Sequence, residues 1–488
     1  MKSESAKPEL TKKVIRGGAI TMAAQLVMVA IQLLSIVILS RLLDPEDFGV
    51  IAMITAITAF MGLFRDMGLS TASIQKGDLS HAQTSALFWL NALAGFLLML
   101  LVMALSPAIA WFYHNPALVP LTAALSTTFL FSSLGAQHSA LMQRELRFKP
   151  KAIADVSGAA ITLIISVTLA MNEWRYWALA AGTIVGAITT TILYCSFSRF
   201  KPAPPRIASG LKELIGFGAN VTAFEIVNYL HRNLDNILIG RFWGAAALGM
   251  YSRGYQMMML PIVSLRTPIN SIAFPVLSRL RNDHAEFRRY YRRISSLLAL
   301  LSMPLMTFLV LNASDVIEVA LGNQWAAVAP IFVFLGLAGF IQPVASLRGL
   351  ILLSLGKSRR YLAWGVMNTA AVSAAFLIGI KWGGVGVAAS YAAVNYIILY
   401  PSLVFIFRDT PLSARDFFEP ILMPAATSVF AGFGTSLAVN TIGIDHPTVS
   451  IIFAAITFAL LFLLGYLSTP AGRKSARSYI TLIKNLKN

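Results

Sequence analysis

Apolar residues fall in runs of about 20, the length a helix needs to cross a bilayer core of roughly 30 Å. Fourteen such runs can be read along the chain, near residues 17–40, 48–64, 84–106, 117–140, 152–171, 176–198, 214–240, 251–276, 294–311, 329–354, 362–380, 384–407, 418–439 and 449–468. Most are bounded by Gly, Pro, Asn or charge. The pattern predicts an all-α polytopic membrane protein of about 14 transmembrane helices. Composition agrees: of 488 residues, 57% are hydrophobic and 12% charged, against roughly 25% charged in soluble domains. Mean hydropathy is +0.70. Too little polar surface exists to cover a soluble fold, and disorder is excluded by the same balance. Cys195 is the only cysteine, which excludes a disulfide scaffold. The polar, Lys-rich stretch Met1 to Arg16 precedes a run without a small-residue cleavage site, so the first run reads as a retained span rather than a signal peptide.

Charge changes the picture by its placement. The 39 Lys and Arg against 21 Asp and Glu give a net charge of +18. With the N-terminus placed in the cytoplasm, 31 of the 39 bases fall in cytoplasmic segments and four in external loops (Arg41, Arg175, Arg241, Lys381). The remaining four, Arg232, Arg253, Arg266 and Arg348, lie within spans. This is the positive-inside pattern of a multi-pass protein with both termini cytoplasmic; the family resemblance given below implies that the membrane is a bacterial inner membrane. The cluster Arg279–Arg293 would suggest nucleic acid in a soluble protein. As one basic cytoplasmic loop among seven it reads as a topology determinant facing anionic lipid headgroups, so no nucleic-acid partner is expected.

The chain also repeats. Residues 12–50 align without gaps on 212–250, with nine identities that include Arg41/Arg241 and Gly49/Gly249. A six-span unit returns the chain to its starting side, so the halves would be parallel repeats. The expected organisation is an N-tail (1–16), a six-helix lobe (17–198), a Pro-rich basic linker (199–213), a second six-helix lobe (214–407), helices 13 and 14 (418–468) and a C-tail (469–488). The two lobes would enclose a central cavity.

Ionisable side chains at bilayer depth are costly and mark function by default. The seventh span concentrates them, with Glu225, Asn228, Arg232 and Asp235/Asn236 on one helical stripe. Two readings stand: the lining of a water-filled cavity, or an internally paired set locking helices together. Arg253, Arg266 and Arg348 lie in later spans, and Arg65 lies beside Asp66 at the end of the second. Guanidinium is permanently charged and its fork suits phosphate oxygens, so converging arginines would suit an anionic, phosphorylated substrate. Arg65 and Arg253 lie near span ends, where snorkelling is the alternative. Asp155 and His138 read as a buried hydrogen-bonding pair. Trp and Tyr at span ends (Trp111/Tyr113, Trp174/Tyr176/Trp177, Trp243/Tyr251) read as an aromatic belt.

Catalytic chemistry is not in view. Gly356–Ser358 (GKS) lacks the earlier glycine of a phosphate-binding loop, and no CxxC, HExxH or GxSxG occurs. No catalytic residue, metal site or cofactor is expected, and the chain does not read as an enzyme.

SRLLDPEDFGVIAM (40–53), FRDMGLSTASIQKGD (64–78), FWLN (88–91), LMQRELRFKPKAIAD (141–155) and YLHRNLDNILIGRFWGAAALGMYSRGYQMMMLP (229–261) closely resemble the Wzx-type polysaccharide exporters. These are lipopolysaccharide and exopolysaccharide flippases of the multidrug/oligosaccharidyl-lipid/polysaccharide superfamily, and the likeness is greatest to the colanic-acid-exporter branch. The resemblance implies two six-helix lobes around a cavity, with added C-terminal helices that help accommodate a lipid tail. It implies translocation of polyprenyl-diphosphate-linked oligosaccharide repeat units by alternating access, for polysaccharide biosynthesis. It also implies membrane lipids and the pathway's polymerase as partners. Arg266, Arg348 and Arg232 would then meet phosphate or sugar acids, and Glu225 and Asp235 would bind a coupling ion or proton. A cation-coupled multidrug antiporter of the same superfamily is the alternative, disfavoured by 14 spans and by arginines outnumbering acids within them. A glycan polymerase or ligase is the second alternative, disfavoured by short external loops.

Overall fold

The computed structural model describes residues 6–66, 80–204, 211–444, 446–470 and 472–473. Within these ranges side chains are described from residue 16 onward, except at 66 and 211–232. The described chain is helical, as the long apolar runs require, because in lipid every backbone amide must be satisfied within its own segment. In order the helices are α1 (Ala6–Leu42), α2 (Pro45–Asp66), α3 (His81–Tyr113), α4 (Leu118–Arg144), α5 (Phe148–Met171), α6 (Tyr176–Phe197), α7 (Leu211–Arg279), α8 (His284–Leu311), α9 (Ala313–Leu321), α10 (Val328–Ala345), α11 (Leu347–Ser354), α12 (Ser358–Gly379), α13 (Gly383–Ile397), α14 (Leu399–Phe407), α15 (Ala414–Ile442) and α16 (Pro447–Ser468).

Twelve stretches among the described residues are long and apolar enough to span a membrane. Two of these, Asn233–Asn282 (50 residues) and Ser358–Ile397 (40 residues), exceed what one pass uses, since a single crossing takes about 20. Both are interrupted by glycine in backbone space that L side chains avoid: Gly244 (φ 81°) in α7 and Gly383 (φ 69°) between α12 and α13. Gly244 divides the 69-residue α7, and Gly383 divides the stretch Ser358–Ile397, so each of these two regions has the length for two passes. Helix ends follow the sequence chemistry. Ser80 accepts from the Gln83 amide while the Gln83 side chain accepts from the Ser80 amide, opening α3. Ser413 and Asp416 do the same for α15, and Gly443 closes that helix in the left-handed region.

The chain divides into two compact units, residues 1–249 and 250–488. In the first, α3 packs on α4, α5 on α6, α4 on α6, α1 on α5 and α2 on α3. The α5–α6 seam is built from small residues. Gly158 faces Thr190, Gly182 faces Ser166 and Gly186 faces Thr162, each too close to admit a Cβ. Such seams let helices approach where lipid supplies no hydrophobic drive. The described part of the expected linker is bound back onto α3: the Trp89 indole donates to the Ala203 carbonyl at 2.8 Å, and the Ala203 amide donates to Ser85 Oγ at 3.0 Å.

In the second unit, α8 lies against α15 and α10, α15 against α16, and α13 against α10 and α12. Phe287, Tyr291, Leu298, Leu347, Leu403 and Phe417 form its main core. The portion of α7 in this unit carries Pro261, Pro268 and Pro275, seven residues apart.

The expected aromatic belt divides. Trp111 is 78% exposed and Trp174 and Trp243 are about half exposed, as a belt requires. Tyr113 and Tyr251 are buried: each points from its helix into its own unit, Tyr113 against Gly240 and Tyr251 against Gly384.

Candidate functional site

Arginines from the spans of the second unit occupy three different settings. Arg253 and Arg266 stand 13 residues apart on α7, about 20 Å along a helix axis. Arg253 is 7% exposed and its Nη1 donates to Gln256 Oε1 one turn on, at 2.7 Å. Arg266 is half-buried. Arg348, at the start of α11, is 9% exposed. Its Nε donates to the Ala345 carbonyl at 2.8 Å, its Nη1 donates to Ser402 Oγ of α14, and its guanidinium lies 5.0 Å from the centre of the Trp364 ring of α12. A planar fork with a stacking face suits such a setting better than an ammonium. Arg348 thus ties three helices together inside the core, a setting the depth of the residue alone does not distinguish from a cavity wall.

In the first unit, Asp235 is buried on α7 and its Oδ1 accepts from the Asn236 amide at 2.8 Å. Asn236 is half-buried beside it, and Arg65 is half-buried at the end of α2. The side chains of Glu225, Asn228 and Arg232 lie outside the described residues, although their backbone belongs to α7. The structure therefore brings Asp235 and Asn236 together, and it sets Arg253 and Arg266 along one helix, α7.

Several charged contacts were not foreseen. Asp155 does not pair with His138. It accepts from Lys151 Nζ at 2.9 Å and from the Tyr194 hydroxyl, because the i,i+4 spacing puts Lys151 on its own helix face. His138 packs against the rings of Phe88 and Phe200, at 5.6 and 5.5 Å. The basic cluster 279–293 is partly neutralised within the protein. Arg292 Nε meets Asp416 Oδ1 at 2.6 Å and its Nη2 meets Glu419 Oε2 at 3.1 Å, while Arg288 Nε lies 3.5 Å from Asp416 Oδ2. These contacts hold α8 against the start of α15. Arg175, read as a loop residue, reaches the buried Asp47 at 3.3 Å and Glu46 at 3.6 Å. Lys357 of the GKS turn donates to the Asp409 carbonyl.

A lateral groove of about 440 Å³ in the second unit is lined by Leu337, Phe340 and Tyr396 from α10 and α13 and by Val429 and Phe433 from α15. Its walls are almost wholly apolar, so its chemistry suits an acyl or isoprenoid chain rather than a sugar.

Residues 38–330 match the family model described as "Polysaccharide biosynthesis protein". The teichuronic acid biosynthesis protein TuaB of Bacillus subtilis (strain 168) is 29% identical over 94% of this chain and 96% of its own. The lipopolysaccharide biosynthesis protein WzxC of Escherichia coli (strain K12) is 26% identical over 80% of each chain. Among solved structures, the lipid II flippase MurJ in an inward closed conformation superposes with a TM-score of 0.73 at 13% identity, covering 93% of this chain and 99% of that one. An inward-facing multidrug transporter of the MATE family gives 0.62 at 11% identity, covering 82% and 95%. At those identities the structural likeness is one of fold. Because the family model spans more than half of the sequence, this chain belongs to the polysaccharide biosynthesis protein family.

Proposed function

We propose that this protein translocates polyprenyl-diphosphate-linked oligosaccharide repeat units across the inner membrane by alternating access, supplying polysaccharide biosynthesis. The observation that carries the reading is that one multi-pass chain, helical among its described residues, joins the family match over residues 38–330 to the fold of a lipid II flippase over 93% of its length. Relatives named for teichuronic acid, lipopolysaccharide and succinoglycan pathways support the same cargo class. The multidrug reading has fold likeness alone behind it.

Within this reading, Arg266 and Arg232 contact phosphate or acidic sugars, with Arg65 and Arg253 nearer the span ends. Arg348 acts through the helices it ties, a role supported by its bonds to Ala345 and Ser402. Glu225 and Asp235 answer to a coupling ion or proton, and Asn228 and Asn236 add neutral donors along the same stripe. The apolar groove beside α15 receives part of the polyprenyl tail. The termini lie in the cytoplasm, where the bases concentrate, and the polymerase of the same pathway takes the product on the other side.

The test is to delete the protein and assay lipid-linked repeat units by leaflet. Accumulation on the cytoplasmic side is expected; its absence overturns the reading.

A further inference from the structure

Beside the Lys151–Asp155 pair lies a cavity of about 510 Å³ within the first unit, walled by α1, α5 and α6 and the end of α4. None of the arginines discussed above lines it. We propose that this cavity binds the phosphate of a lipid headgroup through Lys151, with Asp155 as the resident counter-ion that the phosphate displaces. The proposal rests on the flippase reading for its physiological cargo, but not for its chemistry.

Four observations carry it. First, the place a cation would take on Asp155 is filled: Lys151 Nζ sits 2.9 Å from Oδ2, and the Tyr194 hydroxyl donates to Oδ1. An incoming cation would have to expel a tethered ammonium, whereas an anion needs only to turn it.

Second, the donors available in the cavity belong to few groups. The hydroxyls of Thr162 and Thr190 donate to carbonyls of their own helices, at 2.9 Å each. What remains for a ligand is the rest of the Lys151 ammonium, which carries three N–H donors, and the carboxamides of Gln25 and Gln143 that line the same space. Ammonium plus neutral amide donors is an oxyanion's coordination.

Third, parting the pair leaves each charge a partner. The Lys151 and Asp155 side chains are 27% and 30% exposed, so part of each reaches the cavity they line. When Lys151 turns away, Asp155 keeps the hydrogen bond from Tyr194, so neither charge is stranded.

Fourth, the cavity borders apolar surface. Phe148 and Met28 line it, and Met22 and Leu26, on the same stretch of α1, are 57% and 68% exposed. A ligand with a charged head and a hydrocarbon tail can satisfy both parts here, which free phosphate cannot. The repeat adds a contrast: Gln25 stands at the register where the second copy carries Glu225. A carboxylate at residue 25 would oppose the phosphate.

The experiment is native mass spectrometry of the full-length protein in detergent, with polyprenyl diphosphate, polyprenol or phosphatidylglycerol added at equal concentration. Wild-type protein is expected to retain the phosphate-bearing lipids over polyprenol. Lys151→Gln should lower that retention about tenfold, the scale of one charge-assisted contact. Asp155→Asn should raise it, because the competitor for Lys151 is gone, and a misfolded variant cannot produce tighter binding. Unchanged retention in K151Q, or a loss in D155N equal to that in K151Q, overturns the proposal. Preference for polyprenyl diphosphate assigns the site to cargo, and preference for phosphatidylglycerol assigns it to bulk lipid; either supports the headgroup chemistry. Binding is read without transport, so the site fails independently of the leaflet assay that tests the flippase reading.

Discussion

Gly49 and Gly249, 200 residues apart, face each other across a crossed contact: a Cβ on Gly49 would lie 1.7 Å from the Ala245 carbonyl oxygen, and one on Gly249 would lie 1.8 Å from that of Pro45. Residue 245 is 45 shifted by the repeat, so each copy places its glycine on the other's equivalent backbone. Both glycines belong to the first unit.

Gly49→Ala and Gly249→Ala should each destabilise the protein strongly, by at least the 1–3 kcal/mol usual for overpacking, since backbone rather than a movable side chain blocks the methyl. Gly18→Ala is the control: it is helical, with nothing within 4 Å of its Cβ position, and should be neutral or slightly stabilising. Thermal unfolding of the purified variants in detergent measures all three. Equal midpoints for Gly49→Ala and Gly18→Ala would refute the crossed contact.

Asp416 is 1% exposed and accepts from the Ser413 amide and hydroxyl and from Arg292. Removing it leaves Arg292 with Glu419 alone and uncaps α15. Asp416→Ala is expected to cost about 2–4 kcal/mol, whereas Arg289→Ala, whose pair with Glu286 is exposed, should cost less than about 0.5 kcal/mol. Denaturation midpoints of the two variants check the order.

Arg348 and Arg266 should separate in their effects. Arg348→Ala removes bonds to two helices and the Trp364 contact, so folded protein in the membrane should fall and export should fall with it. Arg266→Ala should reduce export by an order of magnitude per folded molecule, the loss of one charged substrate contact. Quantitative immunoblotting beside surface-polysaccharide measurement reads both. A low folded yield for Arg266→Ala with normal specific export would reverse the assignment.

Asp47 is buried at the start of α2, accepts from the Asp44 amide at 3.2 Å and faces Arg175. Its neighbour Glu46 meets the same arginine from an exposed position. Asp47→Ala should cost about 1–3 kcal/mol through the lost cap and the uncompensated backbone donor, and Glu46→Gln should lie within about 0.5 kcal/mol of wild type. Thermal midpoints test the difference.

The span count was legible because hydropathy is summed over some 20 residues and survives local error. Even the two double-length stretches fit, since their glycine breaks at 244 and 383 stand in the sequence. Pairing was less legible, for a physical reason. Arg292 and Asp416 meet across 124 residues, and no local pattern encodes that contact. Depth alone marks the charge of Arg348 as costly, and hydropathy cannot see Ser402 or Trp364 closing around it. The Lys151–Asp155 pair was readable at its i,i+4 spacing. His138, expected beside Asp155, has aromatic neighbours instead.

The three prolines of α7 carry a mechanical consequence. Residues 261, 268 and 275 recur every seven positions, and two turns of helix nearly restore a residue to its starting direction. Each ring removes an amide donor and crowds the carbonyl four residues earlier. The same edge of the rod is thus loosened at three heights while the opposite edge keeps its ladder. Such a segment bends readily in one plane and resists bending across it, as a leaf spring does, so its thermal bending has its largest amplitude in that plane.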